Sequence, residues 1–201
     1  MTTARIVLAA AVTALGLALA PGSALAAEPG DQLNDGIQRV FANLQDPELK
    51  APSKETERRL AVRRIAEEIF DFEETAKRSL GRHWQDRSPE ERQEFVRLFT
   101  ELIDRAYLRR VDRYDGEQVV ILSDAVDGNQ AVVNTRIVTR DKSEIPVEYL
   151  MHRTGGDRWR VWDVKIAGMS LVASYRAQFN KIIHAESYGD LVKRLQAKSA
   201  P

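Results

Sequence analysis

The chain of 201 residues contains no cysteine. Disulfides, thiolate metal sites and a cysteine nucleophile are therefore excluded, and no acylated lipoprotein anchor is expected. Histidine is almost as scarce. His83, His152 and His184 stand apart, and none falls in an H-E-x-x-H or similar metal spacing. They are expected at the surface or in local hydrogen bonds. No G-x-S-x-G elbow, P-loop or G-x-G-x-x-G turn occurs. An excess of one charge is also missing: 30 basic side chains face 30 acidic ones. That balance gives no footing for nucleic acid or for an anionic membrane surface as a partner. The neighbouring acids Glu67-Glu68 and Glu73-Glu74 do not make a carboxylate pair, because adjacent residues on a helix point about 100° apart.

Long apolar runs are confined to the first residues. Met1–Arg5 carries one positive side chain, and Ile6–Ala20 is continuously small and apolar. Pro21 and Gly22 break the run, and Ala24-Leu25-Ala26 matches an A-x-A cleavage site. A membrane span needs roughly 20 apolar residues, so this shorter run reads as a secretory signal peptide over residues 1–26. Removing 26 of 201 residues leaves 175, and removing one of the 30 basic side chains leaves a formal charge of −1. One domain over residues 27–201 is expected at that length. A cysteine-free secreted domain fits a bacterial periplasm.

Helical patterns come first. Asp31–Leu44 places Leu33, Ile37, Val40, Phe41 and Leu44 on one side. Ser53 is a candidate cap for a second helix carrying Leu60, Ile65 and Ile69. Thr75–Trp84 reads as a short helical run ending near Gly81. Ser88-Pro89-Glu90-Glu91 is an S-x-x-E capping box with proline in the first turn. Behind it Phe95, Leu98, Phe99, Leu102, Ile103, Ala106 and Tyr107 form one apolar stripe at helical spacing.

After Tyr114-Asp115-Gly116 the texture changes. Glu117–Val126, Gln130–Arg140, Glu144–Arg153 and Arg158–Ile166 are rich in Val, Ile, Thr, Tyr and Trp, with short turn-forming links between them. A four-stranded antiparallel meander follows. Two more helices close the chain, over Met169–His184 and around Tyr188–Gln196. Helices, then an antiparallel sheet, then helices make an α+β fold. A curved sheet covered by helices encloses a cone-shaped interior, either filled by side chains or open to a ligand.

Asp163 is the acid that bears on chemistry. Strand alternation puts it on the face of Trp159 and Val161. A buried carboxylate there is either a general base in a steroid-isomerase-like pocket or a structural group, paired with an arginine or capping backbone amides. The structural role is the expected one. The other notable excess is apolar: large residues recur on strand faces and helix stripes, which by themselves read as core.

Several motifs together carry a family resemblance. Trp159–Ile166, the Gly168 turn and the helix with Leu171, Val172, Tyr175, Phe179, Ile182 and Ile183 resemble the signature of the MlaC-type, or toluene-tolerance, family of periplasmic phospholipid-binding proteins. Phe70-Asp71-Phe72 with the Leu80-Gly81 to Trp84 segment, Ser88–Tyr107 and Ile145–Tyr149 resemble other motifs of that family, in the same order. Trp162 stands where tyrosine is common, and Ala167 where an acid often precedes the glycine.

The resemblance implies an NTF2-like cone and a non-enzymatic periplasmic carrier without cofactor, expected to be monomeric. Its ligand would be phospholipid, or a hopanoid in one subgroup. Its partners would be an inner-membrane ABC transporter and an outer-membrane lipoprotein complex. Acyl chains would lie in a cavity lined by Phe99, Ile103, Tyr107, Val147, Tyr149, Met151, Val161 and Tyr175. Arg136 or Arg176 could meet the headgroup, but surface or structural pairing is the expected role of both. The rival expectation is an NTF2-like enzyme for a small apolar substrate, with Asp163 as base.

Overall fold

A computed structural model describes residues 28–107, 114 and 116–199. The expected signal peptide lies outside the described residues. Among the described residues six α-helices and five strands follow one another as α1 (Pro29–Gln45), α2 (Glu55–Ile69), α3 (Phe72–Leu80), α4 (Pro89–Tyr107), β1 (Gln118–Asp127), β2 (Gln130–Val138), β3 (Glu144–Thr154), β4 (Arg158–Ile166), β5 (Met169–Ser170), α5 (Leu171–Ala185) and α6 (Tyr188–Ser199). The sheet is an antiparallel meander in the order β1-β2-β3-β4-β5. It has one strand more than the expected four. Ile166 pairs with Met169 across a two-residue turn, so the chain makes a last short hairpin before α5.

Local signals explain most boundaries. The capping box at α4 is reciprocal: Glu91 N–H donates to Ser88 Oγ at 3.2 Å, and Ser88 N–H donates to the Glu91 carboxylate at 2.9 Å. Gly81 ends α3 at φ +62°, and a 3₁₀ turn over Gly81–Trp84 follows. The start of α2 departs from expectation. Ser53 sits inside a 3₁₀ turn over Pro52–Lys54, and Lys54 is the N-cap, without a side-chain capping hydrogen bond. Leu60 also departs, being 48% exposed. The buried stripe of α2 is Val62, Ile65 and Ala66. A residue two positions before Val62 points about 200° away from it.

Burial in β2 and β4 alternates, with Ala131, Val133 and Thr135 on one strand and Trp159, Val161 and Asp163 on the other turned inward. The hydrophobic interior forms two clusters. One joins the helices through Ala76, Leu80, Trp84, Phe95, Leu98, Phe99, Phe179, Leu191 and Leu195. The other joins α1 to the sheet through Leu33, Ala131, Val133, Met151, Trp159 and Val161. The functional question concerns the seam between them.

Candidate apolar binding cleft

The link from α2 to α3 positions one wall of that seam. Phe70 forms a single parallel bridge with Val161, and Asp71 N–H donates to the Val161 carbonyl at 2.8 Å. The Arg160 guanidinium donates to the carbonyls of Phe70 and Glu67. Asp71 caps α3 by accepting from Glu74 N–H at 3.0 Å, and its other oxygen lies 3.0 Å from His152 Nε2 on β3. Phe70 and Phe72 are thereby held with their rings stacked, centroids 5.8 Å apart. The Phe-Asp-Phe motif is a polar anchor between two apolar wedges.

Between these wedges and the helices runs a cleft of about 180 Å³. Its walls are Ala66, Phe70, Phe72, Ile103, Tyr107, Tyr149, Val164, Ile166 and Leu171, with no charged side chain among them. A narrow inner arm of about 30 Å³ continues it past Thr75, Phe99, Trp162, Asp163, Val172 and Tyr175. The cleft lies where the two clusters meet: Ile103 and Tyr175 pack on the helical cluster, while Phe70, Tyr149 and Val164 pack on the sheet cluster.

Larger hollows exist among the described residues. The one of about 330 Å³ between α1 and the sheet is lined by Asp31, Asp35, Arg39, Glu68 and Arg158 among others. That of about 580 Å³ at α3 and α4 carries Glu73, Lys77, Arg92 and Arg97. Size favours these, but their charged walls do not suit hydrocarbon. A groove of about 370 Å³ along α5 and α6 is apolar at its floor, with Arg194 and Lys198 at its edge.

Polar groups on the cleft wall are neutral or satisfied. Burial pushes the Tyr149 hydroxyl up to about 12. Tyr175 is pushed up to about 12 as well, first by burial and then by the Tyr107 hydroxyl beside it. The Thr75 hydroxyl lies 2.7 Å from the Asp71 carbonyl and 3.0 Å from that of Trp162. Asp163 is buried, and its carboxylate accepts from Val164 N–H at 2.8 Å, Val172 N–H at 3.0 Å and Ser170 Oγ–H at 2.6 Å. The partners are backbone amides and a hydroxyl, not an arginine. Asp163 ties the last hairpin to the first turn of α5, where Ser170 is itself the N-cap.

The structure brings together Ile103, Tyr107 and Tyr149 on the cleft, and Phe99 and Tyr175 on its inner arm. It separates the other three candidates. Val147 is 2% exposed, and its carbonyl accepts from the Thr135 hydroxyl inside the sheet. Val161 is fully buried in the sheet cluster, behind the Phe70 bridge. Met151 turns toward the charged hollow under α1. A shared strand face is thus not a shared cavity wall, because helices cover different lengths of the sheet.

Arg136 and Arg176 make the structural pairings expected of them. Arg136 pairs with Glu144 at 3.1 Å across two strands, and Arg176 donates to the Arg78 carbonyl at 2.8 Å. Sequence reasoning left Phe70, Phe72, Val164, Ile166 and Leu171 off the wall. The Phe-Asp-Phe motif was the available signal for the first two. Among the described residues no group of acids and histidines is placed to hold a metal, and no helix is long and apolar enough to cross a membrane.

The architecture has known counterparts. The family model described as "MlaC protein" matches residues 34–197. A curated relative, the intermembrane phospholipid transport system binding protein MlaC of Haemophilus influenzae, is 22% identical over 172 residues, covering 84% of this chain and 80% of the relative. Among solved structures, a phospholipid-binding protein from Ralstonia solanacearum in complex with a phospholipid superposes with a TM-score of 0.74 at 23% identity, covering 86% of this chain and 97% of that one. The signature read from Trp159 through Ile183 and the fold built on it agree with these matches, and the chain belongs to the MlaC family.

Proposed function

We propose that this protein is a periplasmic phospholipid carrier that shelters acyl chains in the cleft between its two core clusters. One observation carries the reading: a cleft lined wholly by apolar and aromatic side chains, at the seam between two separately packed clusters. The names of the relatives from Haemophilus influenzae and Ralstonia solanacearum support phospholipid as the ligand. In this reading the protein moves lipid between an outer-membrane lipoprotein complex and an inner-membrane ABC transporter, and performs no chemical step.

The energetics suit a carrier. Two acyl chains with roughly 30 methylenes resist passage through water by on the order of 20 kcal/mol. A carrier must replace most of that burial. The cleft of about 180 Å³ is below the roughly 300–1,000 Å³ of ordinary ligand pockets, so loading requires its walls to part.

Native mass spectrometry of the gently purified protein tests the proposal. A copurifying lipid with two acyl chains is expected. Ile103→Trp, which fills the cleft from α4, lowers that occupancy several-fold while the circular dichroism spectrum stays unchanged. Absence of any lipid, also after incubation with phospholipid vesicles, overturns the reading.

A further inference from the structure

Beside the cleft, a cation on α2 reaches across to a carboxylate on α4. Arg63 stands on α2 one turn before Ala66, and Asp104 stands on α4 between Ile103 and Tyr107; all three flanking residues line the cleft. Arg63 Nη1 is 3.4 Å from Asp104 Oδ2. That is long for a charge-assisted contact, which normally closes to about 2.7–2.9 Å. The second Asp104 oxygen is buried without a hydrogen-bond partner among the described residues. Arg63 also holds Glu67 at 3.0 Å through Nε, a contact along its own helix that fixes the guanidinium without spanning the cleft. Its side chain remains 36% exposed, against 19% for Asp104.

Two other cations near the cleft among the described residues, Arg160 and Lys165, hold other partners. Arg160 is bound to the carbonyls of Glu67 and Phe70, and Lys165 to Glu148. An apolar cleft that takes lipid tails leaves a phosphate at its entrance, where an unpaired anion would be costly to bury.

We propose that Arg63 is the headgroup site: its guanidinium receives the lipid phosphate, and Asp104 occupies the place that a phosphate oxygen takes. The inference rests on the carrier reading. The exchange separates the α2 and α4 walls at the same moment that tails enter between them. Asp104 then acts as an internal competitor, a carboxylate that a better anion displaces.

The full chain is exposed to vesicles carrying equal amounts of phosphatidylglycerol and a diacylglycerol with the same tails, recovered, and its bound lipid measured by mass spectrometry. The wild type is expected to prefer the phospholipid by roughly tenfold, the effect of one charge-assisted contact. Arg63→Gln removes the preference by lowering phospholipid alone, so retained diacylglycerol certifies a folded cleft. Arg63→Lys keeps part of it, and Asp104→Asn increases it.

A wild type that takes both lipids equally overturns the headgroup assignment and leaves the carrier reading standing. One that takes neither overturns both. Saturable binding of inorganic phosphate that is lost in Arg63→Gln, without discrimination between the lipids, would make Arg63 a free-anion site and overturn the assignment too.

Discussion

Tyr175 stands edge-on to Phe99, with ring centroids 5.1 Å apart and planes at 83°. The Tyr175 side chain lines both the inner arm of the cleft and the groove along α5 and α6. It is therefore a partition between two hollows, one of about 30 Å³ joined to the main cleft and one of about 370 Å³. Tyr175→Ala is expected to connect them and to shift the bound lipids toward longer or more numerous chains, read by mass spectrometry of extracted lipid. Stability falls by about 2–4 kcal/mol, somewhat less than the roughly 3–5 kcal/mol of a core aromatic truncation, because Tyr175 is only partly buried. Tyr175→Phe keeps the partition and loses only the hydroxyl, so its lipid profile stays that of the wild type. An unchanged profile in Tyr175→Ala would mean that the groove does not communicate with the cleft.

Asp163 gives a second test, because its two expected roles predict opposite results. Three donors converge on its carboxylate, two of them backbone amides. Asn at this position keeps the shape, but its neutral amide replaces the charged acceptor on which both backbone amides converge, and its N–H₂ forces the Ser170 hydroxyl to turn from donor to acceptor. Weakening these buried charge-assisted bonds costs about 1–3 kcal/mol. Urea unfolding of Asp163→Asn is expected to show that loss, with lipid per folded molecule unchanged. Full stability together with loss of a catalytic turnover would restore Asp163 as a base.

The element order was readable because local chemistry fixed it. The stripe from Phe95 to Tyr107 runs at one helical period behind a complete capping box, and the turns between strands are rich in glycine, aspartate and asparagine. The cleft was less readable, since Val147 and Tyr149 share a strand face and a hydrophobic pattern. What separates them is which helix passes above each, a tertiary fact without a local signature. Leu171 and Ile166 join the wall because the β4–β5 hairpin folds α5 back over the sheet, and the two residues of β5 are too few to announce a strand. Arg63 looks like any other charged residue of α2 until α4 brings Asp104 to it.

The turn of that hairpin carries a mild strain. Ala167 and Gly168 have φ of +48° and +81°, the pair of positive values that a type I′ connection requires. Glycine adopts this freely and alanine does not, since its Cβ crowds the following carbonyl. Asparagine tolerates the left-handed region better and is favoured at the first position of such turns. Ala167→Asn is expected to raise stability by about 0.5–1 kcal/mol in urea unfolding, with unchanged lipid binding. Destabilisation would show that another constraint holds the turn.

Three tyrosines bear on the alkaline stability of the fold. Tyr149, Tyr175 and Tyr188 are each pushed up to about 12, in every case chiefly by burial. In the unfolded chain the same hydroxyls lose their protons near pH 10. Between these values the native state binds more protons than the unfolded state, so stability falls as pH rises. Below about pH 10 the contribution of all three is fully present, and by about pH 12 it is spent. Urea midpoints measured from pH 8 to 12 are expected to hold level and then decline above pH 10. Replacing Tyr149 with Phe should flatten part of that decline, because the most deeply placed hydroxyl is gone while its ring still packs against the cleft. A decline of the same size in Tyr149→Phe would assign the alkaline sensitivity to other groups.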